Sequence, residues 1–322
     1  MREALFIKKN KDRWNEISTN PSMETDEMAA EFIQLTDDLG YAKTFYPDSN
    51  VTKYLNAEAA KRYIHIYKNR KEPHNKLVSF FKYEVPMAVA RHQIVIGICF
   101  VIFIFFFIVG FYSAMKDEHF VREIMGDTYV NMTEQNIANG NPFGVYQSGN
   151  SFLVFMGIMI NNISVSFRYL MEGLLFPFFT VQSLIRDGIM VGSWDYMFYP
   201  KGLGGLLFLT VMIHGTLELS AITIAAAAGI ILGKSWLFPG TLKRMDAFKK
   251  DAKDAIKIII GLVPVFIVAA FFEGFVTRYY RMPAWISISI LLSSLVFVIG
   301  YFGVYPLRLK RKIKEQQEAI NV

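Results

Sequence analysis

Residues 94–112, "IVIGICFVIFIFFFIVGFY", hold no charged side chain, and their reading decides the fold. At about 1.5 Å rise per residue such a run extends roughly 28 Å, close to the roughly 30 Å hydrocarbon core of a bilayer. Lipid offers no partner to backbone N–H and C=O groups, so an apolar run of this length is read as a membrane-crossing helix. Further apolar stretches follow. Residues 151–191 are too long for one crossing; Arg168 and Glu172 divide them into two helices, with Pro177 as a kink in the second. Residues 204–233, 256–277 and 285–305 complete the set. The expected fold class is all-α, a polytopic membrane helix bundle of about six transmembrane helices.

Composition agrees with that reading. The chain has 322 residues, 53% of them hydrophobic and 15% aromatic, and its mean hydropathy is +0.29, high for a protein solvated only by water. The formal net charge of +6 is gathered in short runs beside apolar segments. It therefore reads as topology information, and no nucleic-acid partner is expected. The single cysteine, Cys99, excludes an intrachain disulfide and a cysteine-based metal site.

Residues 1–92 are the water-soluble part, a cytoplasmic helical region. Three segments mix charge with apolar residues at three and four spacing: "EALFIKKNKDRWNEI", "TDEMAAEFIQLTDDLGYAKTFY" and "VTKYLNAEAAKRYIHIYKNR". Asn20-Pro21 and Pro47-Asp48-Ser49 mark the turns between them. Residues 93–306 form the transmembrane bundle with an extracytoplasmic loop at 113–150, and 307–322 a basic cytoplasmic tail. Loop charge sets that orientation. The stretch 234–257 has seven Lys or Arg against three Asp, whereas 113–150 has two basic residues against five acidic ones. Basic loops stay in the cytoplasm, so both termini are placed there, in a multi-pass protein of the inner (cytoplasmic) membrane.

Five polar residues fall within the spans. Measured from the outer boundary by helix rise, His214 lies about 15 Å deep, Glu218 about 21 Å, Asn161 and Asn162 about 15 Å, and Glu273 about 6 Å. They are expected to converge in the outer half of the bundle. Thr210, His214, Glu218, Ala221, Ala225 and Gly229 recur on one helical face. A carboxylate facing lipid costs about 2.5–3.5 kcal/mol at a span centre, so this face should point inward. Gly188 with Gly192, and Gly229 with Gly233, have the GxxxG spacing that lets backbones approach, and are expected helix-packing positions; a homodimer is the expected assembly, with these faces as candidate contacts unless they are used within one protomer. Three roles stay open for the polar cluster: a hydrogen-bonded network that fixes register, a pathway for an ion, proton or solute, and a metal site of His214, Glu218 and Glu273. HExxH, GxSxG and Walker A patterns are all absent, so neither enzymatic activity nor a cofactor is expected.

The motifs also carry a family resemblance. "FMGIMINNISVSFRYLMEGLLFPFFTVQSLIRDGIMVG" resembles the asparagine-pair and Gly-rich hairpin of the stage II sporulation protein M family, "HGTLELSAITIAAAAGIILG" its HGxxE segment, and "FFEGFVT" its short glutamate motif. Asn161, Asn162, His214, Gly215, Glu218 and Glu273 are carried over as the polar signature. Asp187-Gly188 stands where the pattern has Asn-Gly. The resemblance implies a polytopic inner-membrane protein whose namesake is a membrane partner of peptidoglycan-cutting proteins. It leads to the expectation of a non-enzymatic scaffold in the lipid bilayer with envelope or cytoplasmic protein partners, the alternative being a transporter or channel.

Overall fold

The computed structural model describes residues 2–19, 25–68, 75–144, 149–279 and 282–320. Every regular element among them is helical, and contacts divide the chain into two compact units, Met1–Lys76 and Leu77–Val322.

The first unit is a three-helix packing of α1 (Glu3–Thr19), α2 (Thr25–Phe45) and α3 (Asn50–Lys68). Phe6, Trp14 and Ile17 lie on one face of α1 and meet Leu35, Leu39 and Ala42 of α2 and Val51, Leu55 and Ala59 of α3. Full burial of each large apolar side chain contributes about 1.5–3 kcal/mol. Polar side chains fix the arrangement around this core. Asp38 accepts from Trp14 Nε1 at 2.8 Å and pairs with Arg13, and Arg62 donates to the Ile17 carbonyl near the end of α1. The Pro47–Ser49 turn forms as read. The turn expected at Asn20-Pro21 lies outside the described residues.

In the second unit α4 (Lys76–Ser79) runs through a π-helical stretch, Phe80–Glu84, into α5 (Val85–Arg91). The long helices are α6 (Gln93–Lys116), α9 (Ser151–Leu175), α10 (Pro177–Tyr196), α11 (Gly204–Leu237), α12 (Arg244–Phe271) and α13 (Ala284–Val298). Between α6 and α9 stand the short α7 (Glu118–Met125) and α8 (Asp127–Ala138); α14 (Tyr305–Ile320) ends the chain. Among the described residues five segments are long and apolar enough to cross a membrane: Gln93–Lys116, Ser151–Leu175, Gly204–Leu237, Arg244–Tyr279 and Ala284–Gln316. The sixth expected crossing, α10, has 20 residues, about 30 Å of helix, but is not among these segments.

The hairpin boundary differs from the expectation. Arg168 and Glu172 lie inside α9 as an i,i+4 pair at 3.5 Å, and the break falls at Phe176. Pro177 opens α10 instead of kinking it, because a first-turn proline has no intrahelical N–H bond to lose.

The centre of the bundle is α11. Ala225–Ala228 have no exposure at all, because their small side chains admit neighbours on every side. Bilayer helices lack a hydrophobic drive to associate, so close backbone packing takes over. A Cβ on Gly229 would collide with the Tyr169 backbone, and one on Gly233 with the Gly173 carbonyl. The rising order of both pairs makes α9 and α11 parallel. Likewise Gly188 and Gly192 seat against Phe103 and Phe107, making α6 and α10 parallel. Both GxxxG faces therefore pack helices within the protomer, as helix-packing positions should.

The acidic loop closes over one end of the bundle. Val121 of α7 and Val130 of α8 pack on Ala114, and Phe143 joins Phe198, Leu207 and Val211. This capped end lies opposite a basic end formed by α5, the start of α12 and α14.

Candidate functional site

The expected polar residues meet just beneath the cap. His214 and Glu218 stand one turn apart on α11, and α12 continues past Phe271 into a π-helical stretch, Phe272–Val276, that carries Glu273. The wider π turn re-aims side chains and recurs at functional positions. His214, Glu218 and Glu273 each place a ligand-capable atom within 4.8 Å of the other two. His214 is 4% exposed.

Hydrogen bonds fix the imidazole. Thr277 Oγ1 lies 2.9 Å from His214 Nδ1 and 3.2 Å from the Phe272 carbonyl. The carbonyl only accepts; when the hydroxyl proton goes to it, Thr277 accepts from Nδ1–H. In that tautomer the ring's basic lone pair is on Nε2, the arrangement found behind metal-binding histidines.

Asn162, 2% exposed, lies against the Glu218 carboxyl, and among the described residues its amide nitrogen meets no hydrogen-bond partner. Its neighbour Asn161 behaves differently. Asn161 is exposed and reaches only the Asn162 amide oxygen at 3.5 Å, so the structure removes it from the cluster. Successive helical residues are turned by about 100°, and only one of an adjacent pair can face the site.

A cavity of about 220 Å³ opens beside these groups, lined by His214, Glu218 and Glu273 together with Tyr129, Trp194 and Asp195. Trp194 Nε1 donates to Tyr129 Oη at 2.9 Å and ties the cap to α10. Burial in the cap pushes the Tyr129 phenol above its ordinary pKa, while the Trp194 hydrogen bond works the other way. Among the described residues no Lys or Arg forms an ion pair with Asp195, Glu218 or Glu273. Carboxylates gathered in an apolar cavity need a counter-charge, supplied by a bound cation or by protons.

Sequence reading missed Asp195 and Thr277. Asp195 continues the Gly188–Gly192 face at a spacing of three, and Thr277 follows Glu273 by four; both signals lie in the sequence but have meaning only once the partner helices are known.

A second polar set lies between α9 and α10. Asp187 accepts from Tyr169 Oη at 2.7 Å and pairs with Arg168 at 3.4 Å, while Ser183 donates to Glu172 at 3.0 Å. The carboxylate at 187, where the family pattern has an amide, thus has a cationic partner.

Residues 99–278 match the family described as stage II sporulation protein M. The chain belongs to that family. The match encloses Asn162, Asp195, His214, Glu218, Glu273 and Thr277 and ends next to the π-helical stretch, and membership makes this a membrane protein. Residues 4–68 match a family described as a domain of unknown function, nearly the extent of the three-helix unit. An uncharacterized protein of Methanocaldococcus jannaschii is 31% identical over 128 residues, which cover 38% of this chain and 70% of that protein. No solved structure matches.

Proposed function

We propose that this stage II sporulation protein M family member is a cation-handling membrane protein that binds a divalent metal ion at His214, Glu218 and Glu273, with Asp195 at the mouth of the cavity. One observation carries the reading: carboxyls without a Lys or Arg partner among the described residues share a cavity with an imidazole held by Thr277. A mixed nitrogen and oxygen donor set suits Mn²⁺ or Zn²⁺. A tetrahedral site with bonds of about 2.1 Å has ligands about 3.4 Å apart. The three donor atoms lie within 4.8 Å of one another, close enough to be gathered on one ion. The capped end faces outward and the basic end faces the cytoplasm, with both termini cytoplasmic in the inner membrane; loop charge supports this orientation. The protein carries out no covalent reaction.

A second reading, a membrane scaffold that recruits envelope or cytoplasmic partners, is favoured by the floor of the site. Below Glu218 the same face of α11 is Ala221, Ala225 and Gly229, all buried, so the cavity ends there. Under that reading the bound ion organises the capped face for a partner.

The test is metal binding by the full chain in lipid nanodiscs. The parent is expected to bind about one Mn²⁺ per protomer, and Glu218→Gln and Glu273→Gln to lose at least about tenfold in affinity with unchanged size-exclusion profiles. Failure of the folded parent to bind Mn²⁺ or Zn²⁺ overturns the site. Mn²⁺ flux in proteoliposomes then separates transport from scaffolding.

A further inference from the structure

The basic end contains a pocket that the proposed cation site does not use. About 370 Å³ in volume, it is lined by Arg91 and by Asp246, Lys249, Lys250, Lys253, Asp254 and Lys257 of α12, and is of the scale of ordinary ligand pockets, about 300–1,000 Å³.

Besides the exposed Asp246, the lining side chains divide into an anchored and an unengaged group. Asp254, buried, pairs with Arg91 at 3.1 Å and His92 at 3.2 Å. Lys257 pairs with Glu84 at 2.8 Å. These contacts, with Val85 packed against Gly261, hold α5 along the middle of α12 and fix the wall of the pocket. Lys249, Lys250 and Lys253 are exposed and form no ion pair among the described residues. His92, Asp251 and Asp254 also lie close enough together to suggest a metal site, but Arg91 already neutralises Asp254, and the surrounding lysines repel a cation. The field of the pocket selects an anion.

Its depth selects the kind of anion. Arg91 and His92 immediately precede the uncharged run of α6, which places the pocket where an apolar span begins. Along α12, Lys249, Lys253, Ile256 and Ile260 follow one another at spacings of four, three and four, on one face. Ile256 and Ile260 are 48% and 45% exposed. Cations at head-group depth stand directly above isoleucines that face the acyl chains.

We infer that the pocket formed by Arg91 and the unengaged Lys249, Lys250 and Lys253 binds the phosphate of an anionic phospholipid, whose chains lie along Ile256 and Ile260. Basic pockets between membrane helices are suited to such head groups. A soluble phosphate would use the lysines but leave the apolar stripe unused.

Native mass spectrometry of the full chain in detergent tests this with phosphatidylglycerol and phosphatidylcholine at matched concentration. About one phosphatidylglycerol is expected to stay bound per protomer, retained more than about tenfold better than phosphatidylcholine. Combined Lys249→Gln, Lys250→Gln and Lys253→Gln should abolish that preference, while Lys310→Gln, Lys312→Gln and Lys314→Gln on α14, an equal loss of charge outside the pocket, should preserve it. Arginine at 249, 250 and 253 should also preserve it, and so separates binding from folding. Equal retention of the two lipids overturns the inference, as does an equal loss with the α14 variant. Displacement of the lipid by millimolar inorganic phosphate assigns the pocket to a soluble anion and also overturns it.

Discussion

His214 Nδ1 lies 2.9 Å from Thr277 Oγ1, and that hydroxyl lies 3.2 Å from the Phe272 carbonyl. These contacts join the first half of α11 to the π-helical stretch after α12 and hold the imidazole in place. Thr277→Val keeps the side-chain volume and deletes the hydroxyl. Mn²⁺ affinity should fall about 10- to 100-fold, the usual effect of losing a group that orients a ligand, whereas Thr277→Ser should bind like the parent. Equal binding by the valine and parent proteins, measured by equilibrium dialysis, would show that the hydrogen bond does not serve the site.

Proton competition supplies a separate check. Imidazole and carboxylates ligate metal only when deprotonated. Mn²⁺ affinity should therefore fall as the pH is lowered, because protons compete with the ion for the same donor atoms. Titration calorimetry in buffers of different ionisation heat should record proton release on binding. An affinity that does not change with pH would count against His214 and the glutamates as ligands.

The glycine contacts predict a contrast in stability. Gly229→Ala places a Cβ against the Tyr169 backbone and should cost about 1–3 kcal/mol or more. Gly97 has nothing within 4 Å of its Cβ position, so Gly97→Ala should be neutral or stabilise α6 by up to about 1 kcal/mol. Thermal unfolding in one detergent compares the two directly. Equal midpoints would mean that α9 and α11 do not pack at Gly229.

Orientation is testable with single cysteines at Met132 and Met245, both exposed. The native Cys99 is fully buried and should stay silent. In intact cells a membrane-impermeant thiol reagent should label residue 132 and should reach residue 245 only after permeabilisation. The opposite pattern would invert the topology.

Much of this protein was legible along the chain. The uncharged run at 94–112 announces a membrane helix because lipid tolerates no unsatisfied backbone. Charge in the 113–150 and 234–257 segments separates the two ends of the bundle, and the spacing of Thr210, His214, Glu218, Ala221, Ala225 and Gly229 draws the inward face of α11. These are properties of depth and periodicity, which helix rise fixes locally. Rotation about each helix axis and the choice of neighbours are not local. Only the tertiary structure decided that Asn162 faces Glu218 while Asn161 does not, and that Asp195 and Thr277 join the cavity. It also decided that Gly188, Gly192, Gly229 and Gly233 meet helices of their own protomer, and that Arg91 closes a pocket with lysines far along the chain. Each of these depends on which helices pack together, and that is settled by side-chain shape across the whole bundle.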